Sequence, residues 1–193
     1  MREEIREALA SRTRLVIHDS NYKEAAVLIP IYEREGKCYI VFTKRTDHLA
    51  YHKGQISFPG GGRHKEDSDL QVTALRESHE EIGLKEEDVE VLGVLDDVTT
   101  GSSKYRITPF VGIIPCPYQF KAEENEVQEI FSLPINDLMN KAKLTITDQE
   151  FCGKMTKVHT YEIGGRIIWG ATAWILSSFF EIIRPLSGAQ SNN

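Results

Sequence analysis

Arg76, Glu77, Glu80 and Glu81 stand together in the run Arg-Glu-Ser-His-Glu-Glu, followed at once by Ile82 and Gly83. On a helix advancing about 100° per residue, Glu80 falls about −60° and Glu81 about +40° from Glu77. The three carboxylates therefore share one face as i,i+3 and i,i+4 neighbours. Like charges so placed destabilise an exposed helix by about 0.2–0.5 kcal/mol per pair, so a compensating cation is expected. Arg76 can reach Glu80 across one turn and offsets part of the repulsion. A hard divalent ion such as Mg²⁺ offsets more, because it prefers carboxylate and phosphate oxygens. The plain alternative for any Glu-x-x-Glu-Glu is a solvated acidic face. Context tells against it: residues 54–62, with Phe58-Pro59-Gly60-Gly61-Gly62, form a glycine-rich stretch just ahead of the helix, and bare backbone can approach a ligand closely.

The elements that must hold these groups can be read around them. Ser68-Asp69-Leu70-Gln71 has the form of a capping box, and Gly83 sits where a left-handed C-terminal residue is wanted. Val72, Leu75, His79 and Ile82 fall opposite the glutamates, which makes them the anchoring side and reads His79 as packed or hydrogen-bonded. Upstream, residues 3–11 read as a short amphipathic helix. Two apolar runs, 25–32 and 38–43, flank a glycine-containing turn and read as a β-hairpin. The stretch 54–62 reads as loop without regular structure. Strands are expected at 89–98, 107–114 and 127–133, then a short helix opened by Pro134. A second hairpin should turn at Gly164-Gly165. A final helix should run from Gly170 to Ile183, stopped by Pro185 and anchored by Trp169 and Trp174. Strands interleaved with few helices imply one α/β domain over residues 1–186, with 187–193 as a disordered tail.

Composition bounds the rest. The 193 residues carry a formal net charge of −6, with 40% hydrophobic and 27% charged residues. That balance suits a soluble globular domain and argues against a duplex nucleic-acid binder. Three cysteines without a C-x-x-C pair read as reduced thiols in a cytoplasmic protein, and no apolar run is long enough to span a membrane. His18, His48, His64 and His159 show no metal-like spacing.

From Gly61 through Asp67 to Arg76-Glu77-Ser78-His79-Glu80-Glu81-Ile82-Gly83-Leu84, residues 61–84 resemble the Nudix box, G-x5-E-x7-R-E-U-x-E-E-x-G-U. Two departures stand out. Asp67 replaces the first glutamate and is followed by eight residues instead of seven, and Ser78 replaces an apolar residue. The resemblance implies an α/β/α sandwich with a central mixed β-sheet. It implies Mg²⁺ or Mn²⁺ held by Glu77, Glu80 and Glu81, with Arg76 orienting a glutamate, and hydrolysis of a nucleoside diphosphate linked to another group. A further acid from outside the box is common in the family; Glu129 and Glu126 are the candidates here.

A narrower resemblance covers most of the chain. Thr43-Lys44-Arg45-Thr46, Leu49, His52, Gly54-Gln55 and Phe58-Pro59-Gly60-Gly61 are similar to the motif upstream of the box in coenzyme A pyrophosphatases. That subfamily also carries the extra loop residue, and Ile168-Trp169-Gly170-Ala171-Thr172 matches it near the C-terminus. The implied reaction splits coenzyme A or an acyl form into 3′,5′-ADP and 4′-phosphopantetheine. Arg45 foremost, with Lys44 and Arg63, would meet the phosphates; Gly60 and Gly61 would approach the substrate, and His52 is open between ligand contact and structure. The partner is then a small nucleotide, without nucleic acid or membrane, and a homodimer is compatible. The rivals are a Nudix hydrolase of ADP-ribose, NADH, a dinucleotide or a nucleoside triphosphate, and a non-catalytic Nudix-fold binding module.

Overall fold

The structure, a computed structural model, describes residues 1–46, 53–101, 103–151 and 154–187. His52, Leu49 and Cys152, and the tail beyond Ser187, lie outside these residues. The first apolar runs pair as expected: β1 (Lys23–Arg34) and β2 (Lys37–Arg45) form an antiparallel hairpin. Glu35 and Gly36 both take positive φ at its turn, the backbone twist a two-residue hairpin loop needs.

The glycine-rich stretch is more regular than its composition suggests. It contains β3 (Ile56–Ser57), paired with β2, and β4 (Gly60–Gly62), paired with β1 at residues 25–27. The expectation of loop throughout is thereby corrected. Extended glycines satisfy the hydrogen bonds of β1 while presenting no side chains, so the strand lies flush against what covers it.

Behind α2 (Leu70–Ile82) come β5 (Glu90–Val94), β6 (Val98–Thr99), β7 (Tyr105–Ile113) and β8 (Val127–Pro134). The sheet runs β3-β2-β1-β7-β5, with β4 on β1, β6 on β7 and β8 on β2. Among the described residues only β1 and β7 pair in parallel, over residues 23–31 and 105–113, so the sheet is mixed. One face packs on α2 through Ala26, Leu28, Val41, Ala74, Leu75 and Ile82. The other packs on α1 (Arg2–Ala10) and α4 (Gly170–Ser187) through residues such as Ile5, Ile29, Phe42, Phe179 and Phe180. This is the expected α/β/α sandwich.

Between β8 and α4 lie the short α3 (Ile135–Leu138) and a second, three-stranded antiparallel sheet of β9 (Leu144–Phe151), β10 (Lys154–Ile163) and β11 (Arg166–Trp169). The β10–β11 turn at Gly164-Gly165 was expected; β9 was not. Two further expectations fail nearby. Trp169 stands on the outward face at 47% exposure instead of anchoring α4, because its neighbour Ile168 takes the inward position. Helix α4 also runs past Pro185 to Ser187, the buried Phe179, Phe180 and Ile183 holding the preceding turns against the cost of the proline. No helix among the described residues is long and apolar enough to cross a membrane.

Candidate active site

Helix α2 is capped by Asp69, not Ser68: the Asp69 carboxylate accepts from the Val72 N–H at 2.9 Å. It ends at Gly83, whose φ of 67° is the left-handed stop the sequence called for. The buried side is rotated toward Glu81 relative to the expected one. Thr73, Ala74, Leu75, Ser78, Glu81 and Ile82 are buried, whereas His79 is exposed, which corrects its reading as a packed residue. Ser78 explains part of the rotation. Its hydroxyl donates to the Ala74 carbonyl at 2.7 Å, so a polar residue fits where an apolar one was expected.

The three glutamates consequently occupy different environments. Glu80 is 53% exposed at its side chain, Glu77 15% and Glu81 6%. Glu81 accepts from the Gly60 N–H at 3.1 Å and lies 3.5 Å from the Arg45 guanidinium. Burial nevertheless dominates and pushes its pKa up to about 7. Burial also raises Glu77, against the pull of Arg76. Gly61 faces Glu77 so closely that an added Cβ would sit 2.4 Å from its Oε2, and a Cβ on Gly60 would sit 2.4 Å from the Ala26 carbonyl oxygen. The paired glycines of β4 let the carboxylates close down on backbone.

Arg76 organises this cluster. Its Nη1 donates to Glu77 and to Glu80, each at 2.9 Å, as the helical spacing required for Glu80. Nη2 donates to the Gly62 carbonyl at 3.0 Å, and Nε and Nη2 fork onto Asp67, each at 3.0 Å. Asp67 is buried and also accepts from the His64 N–H and the Thr73 hydroxyl, both at 2.9 Å. The guanidinium in particular holds this carboxyl far below the usual range. An aspartate with one extra residue in the loop thus reaches the arginine, and the departure from the box leaves the R-E-x-x-E-E core in place.

The other sequence candidates divide across the sheet. Arg45 reaches Glu81 on the α2 side. Lys44 pairs across the strands with Glu129, two residues beyond the stacked Phe42–Phe131 pair, and so faces the α4 side. There Glu129 takes a fork from Arg166 at 2.9 and 2.7 Å, which lowers its pKa. Glu129 is therefore turned away from the box. Glu126 lies nearer: its charge helps raise Glu81, and its carbonyl accepts from the Thr46 N–H at 3.0 Å. Arg63 is tied to Glu24 at 2.8 Å and donates to the carbonyls of Asp67 and Ser68, so it braces the loop. Arg166 and Glu24 carried no local signal in the sequence; only the fold brings them to these partners.

Do these residues suit a divalent cation? Hard carboxylate donors from one helix, one of them desolvated, beside a strand without side chains, fit an oxygen-seeking ion. Among the described residues no three acidic, histidine or cysteine groups are yet gathered at ligand spacing, Arg76 drawing Glu77 and Glu80 to itself.

The NUDIX domain model matches residues 22–152. An uncharacterized Nudix hydrolase NudL of Enterobacter sp. (strain 638) is 36% identical over 156 residues, covering 81% of this chain and 80% of its own length. Another, from Yersinia enterocolitica, is 37% identical over 157 residues with the same coverage. Among solved structures, a MutT protein from Methanosarcina mazei Go1 aligns with a TM-score of 0.55 at 14% identity, over 88% of this chain and 99% of that one. A C. elegans Ap4A hydrolase complex aligns with a TM-score of 0.51 at 17% identity, over 61% and 83%. Family model, relatives and sandwich agree with the carboxylate helix just described: this chain belongs to the Nudix hydrolases, enzymes that act on pyrophosphate bonds and generally use divalent metals.

Proposed function

We propose that this enzyme hydrolyses the diphosphate of coenzyme A or an acyl-coenzyme A, adding water across the P–O–P linkage to release 3′,5′-ADP and (acyl-)4′-phosphopantetheine. The observation that carries the reading is where Thr43–Thr46 and Gly54–Gly61, the described parts of the upstream motif, stand relative to Glu81. The described residues of that motif lie at the end of β2 and in β3 and β4, and two of them, Arg45 and the Gly60 N–H, meet on Glu81. A substrate diphosphate drawn to Glu81 meets, in Arg45, a guanidinium suited to forking onto phosphate.

Glu77, Glu80 and Glu81 would hold Mg²⁺ or Mn²⁺, which when bound supplies charge neutralisation for the phosphate oxygens and acidifies a coordinated water. The protein's own contributions are positional. Arg76, fixed by Asp67, sets the azimuth of Glu77 and Glu80. Gly60 and Gly61 keep side chains out of the approach. Arg45 draws the diphosphate toward Glu81, and Glu126 is the acid from outside the box. The reading puts the reaction in the cytoplasm.

The test is a substrate panel of coenzyme A, dephospho-coenzyme A, ADP-ribose, NADH and a dNTP, each with Mg²⁺, Mn²⁺ or EDTA. Coenzyme A should be preferred and EDTA should abolish turnover. Strong preference for another nucleotide would retain the Nudix chemistry and remove the coenzyme A assignment. Turnover of nothing in the panel would favour a binding module.

A further inference from the structure

Strand β2 ends in two neighbouring cations that look to opposite faces of the sheet. Arg45 serves the carboxylates under α2. Lys44 looks the other way, toward β11 and α4, and makes no salt bridge among the described residues. Beside it stands Glu129, its cross-strand partner, and beyond that Arg166 on β11.

Arg166 is held on two sides. Its Nη1 and Nη2 fork onto the Glu129 carboxylate, and its guanidinium carbon lies 3.8 Å from the centroid of the Phe131 ring. A guanidinium fixed by a bidentate pair and a ring face has little rotamer freedom left to lose when it meets a ligand. Its remaining N–H groups and the Lys44 ammonium stay available. The three charges, Lys44 (+1), Arg166 (+1) and Glu129 (−1), leave a net +1, so the patch attracts anions without collapsing onto its own acid.

We propose that Lys44 and Arg166, the latter positioned by Glu129 and Phe131, form a second anion subsite that receives a phosphomonoester on the substrate's nucleoside side. This rests on the coenzyme A reading and deepens it, because the adenosine of coenzyme A carries a phosphate one sugar away from the scissile diphosphate. The geometry suits that arrangement. Adjacent residues of one strand send their cations to opposite sides, Arg45 for the diphosphate and Lys44 with Arg166 for the additional phosphate. Arg166 then determines specificity rather than chemistry.

Two measurements on the full-length chain test it. The first is the ratio of KM values for dephospho-coenzyme A and coenzyme A. Arg166→Ala should reduce that ratio about tenfold, the loss expected for one charged hydrogen bond. Glu129→Gln, which keeps an acceptor for Arg166 but removes the negative charge, should move the ratio the opposite way. A bracing role for the pair would make both variants change in the same sense, and that result would overturn the subsite. The second is calorimetric binding of 3′,5′-ADP against 5′-AMP in EDTA. Wild-type protein should prefer the bisphosphate and Arg166→Ala should lose the preference; equal binding of both by the wild type would overturn the subsite. If coenzyme A is not hydrolysed at all, the functional reading fails, and this binding comparison still decides the subsite by itself.

Discussion

Replacing Asp67 with asparagine tests the organisation of the whole cluster. The buried Asp67 carboxylate accepts four hydrogen bonds, two from Arg76 at 3.0 Å, one from the His64 N–H and one from Thr73 at 2.9 Å. Bonds to a charged group contribute about 1.5–3 kcal/mol each, and breaking a buried ion pair costs about 3–5 kcal/mol. Arg76 keeps 20% exposure and two other carboxylates, so the lower end applies. Asp67→Asn should therefore cost about 3 kcal/mol, or about 6–12 °C in Tm for a chain of this size. Urea unfolding at pH 7 in EDTA measures it. The folded pKa of Asp67 lies below its unfolded value, so its stabilisation is present above about pH 4 and fades as pH falls. The gap between wild type and variant should narrow by about 1 kcal/mol by pH 3. With Arg76 released from one side, Mg²⁺ affinity should drop about 10–100-fold. A gap below 1 kcal/mol at pH 7 with unchanged Mg²⁺ dependence would refute the claim that Asp67 positions Arg76; it would mark the pair as an ordinary surface ion pair.

Glu81→Gln should cut turnover by orders of magnitude with the circular-dichroism spectrum intact, since shape and burial are conserved while the charge proposed to bind metal is lost; near-wild-type turnover would show that Glu81 is no ligand. Gly61→Ala should abolish activity at a smaller cost in stability, because the new Cβ, 2.4 Å from Glu77 Oε2, displaces that carboxylate; an active variant with wild-type Mg²⁺ affinity would count against the glycine cradle. Arg45→Ala should raise KM for coenzyme A and dephospho-coenzyme A alike, as a cation beside Glu81 acts on the shared diphosphate; an effect confined to one substrate would move Arg45 to another role. Glu126→Gln should lower kcat more than Glu129→Gln does, and the reverse order in steady-state kinetics would return the outside acid to Glu129.

What could be read from the chain alone was whatever local periodicity encodes. The i,i+3 and i,i+4 spacing of Glu77, Glu80 and Glu81, the Arg76–Glu80 contact and the Gly83 stop all follow from helix geometry, and all are found. The hairpin and β7 likewise follow from apolar runs and turn residues. Periodicity could not say which flank of α2 the sheet would cover. Packing on Ala26, Leu28 and Val41 turned the helix so that Glu81 is buried and His79 exposed, and this inequality among like carboxylates gives Glu81 its raised pKa. Nor could it find β9, whose Thr and Ile alternate without a buried face of their own in sequence. The sheet likewise decided the fates of Lys44 and Arg45: adjacent residues in an extended strand point to opposite sides, and only the strand's neighbours reveal what each side holds. Asp67 joined to Arg76, and Arg166 to Glu129 across 37 residues, are products of chain folding, because electrostatic partners are chosen by distance in space and not along the sequence.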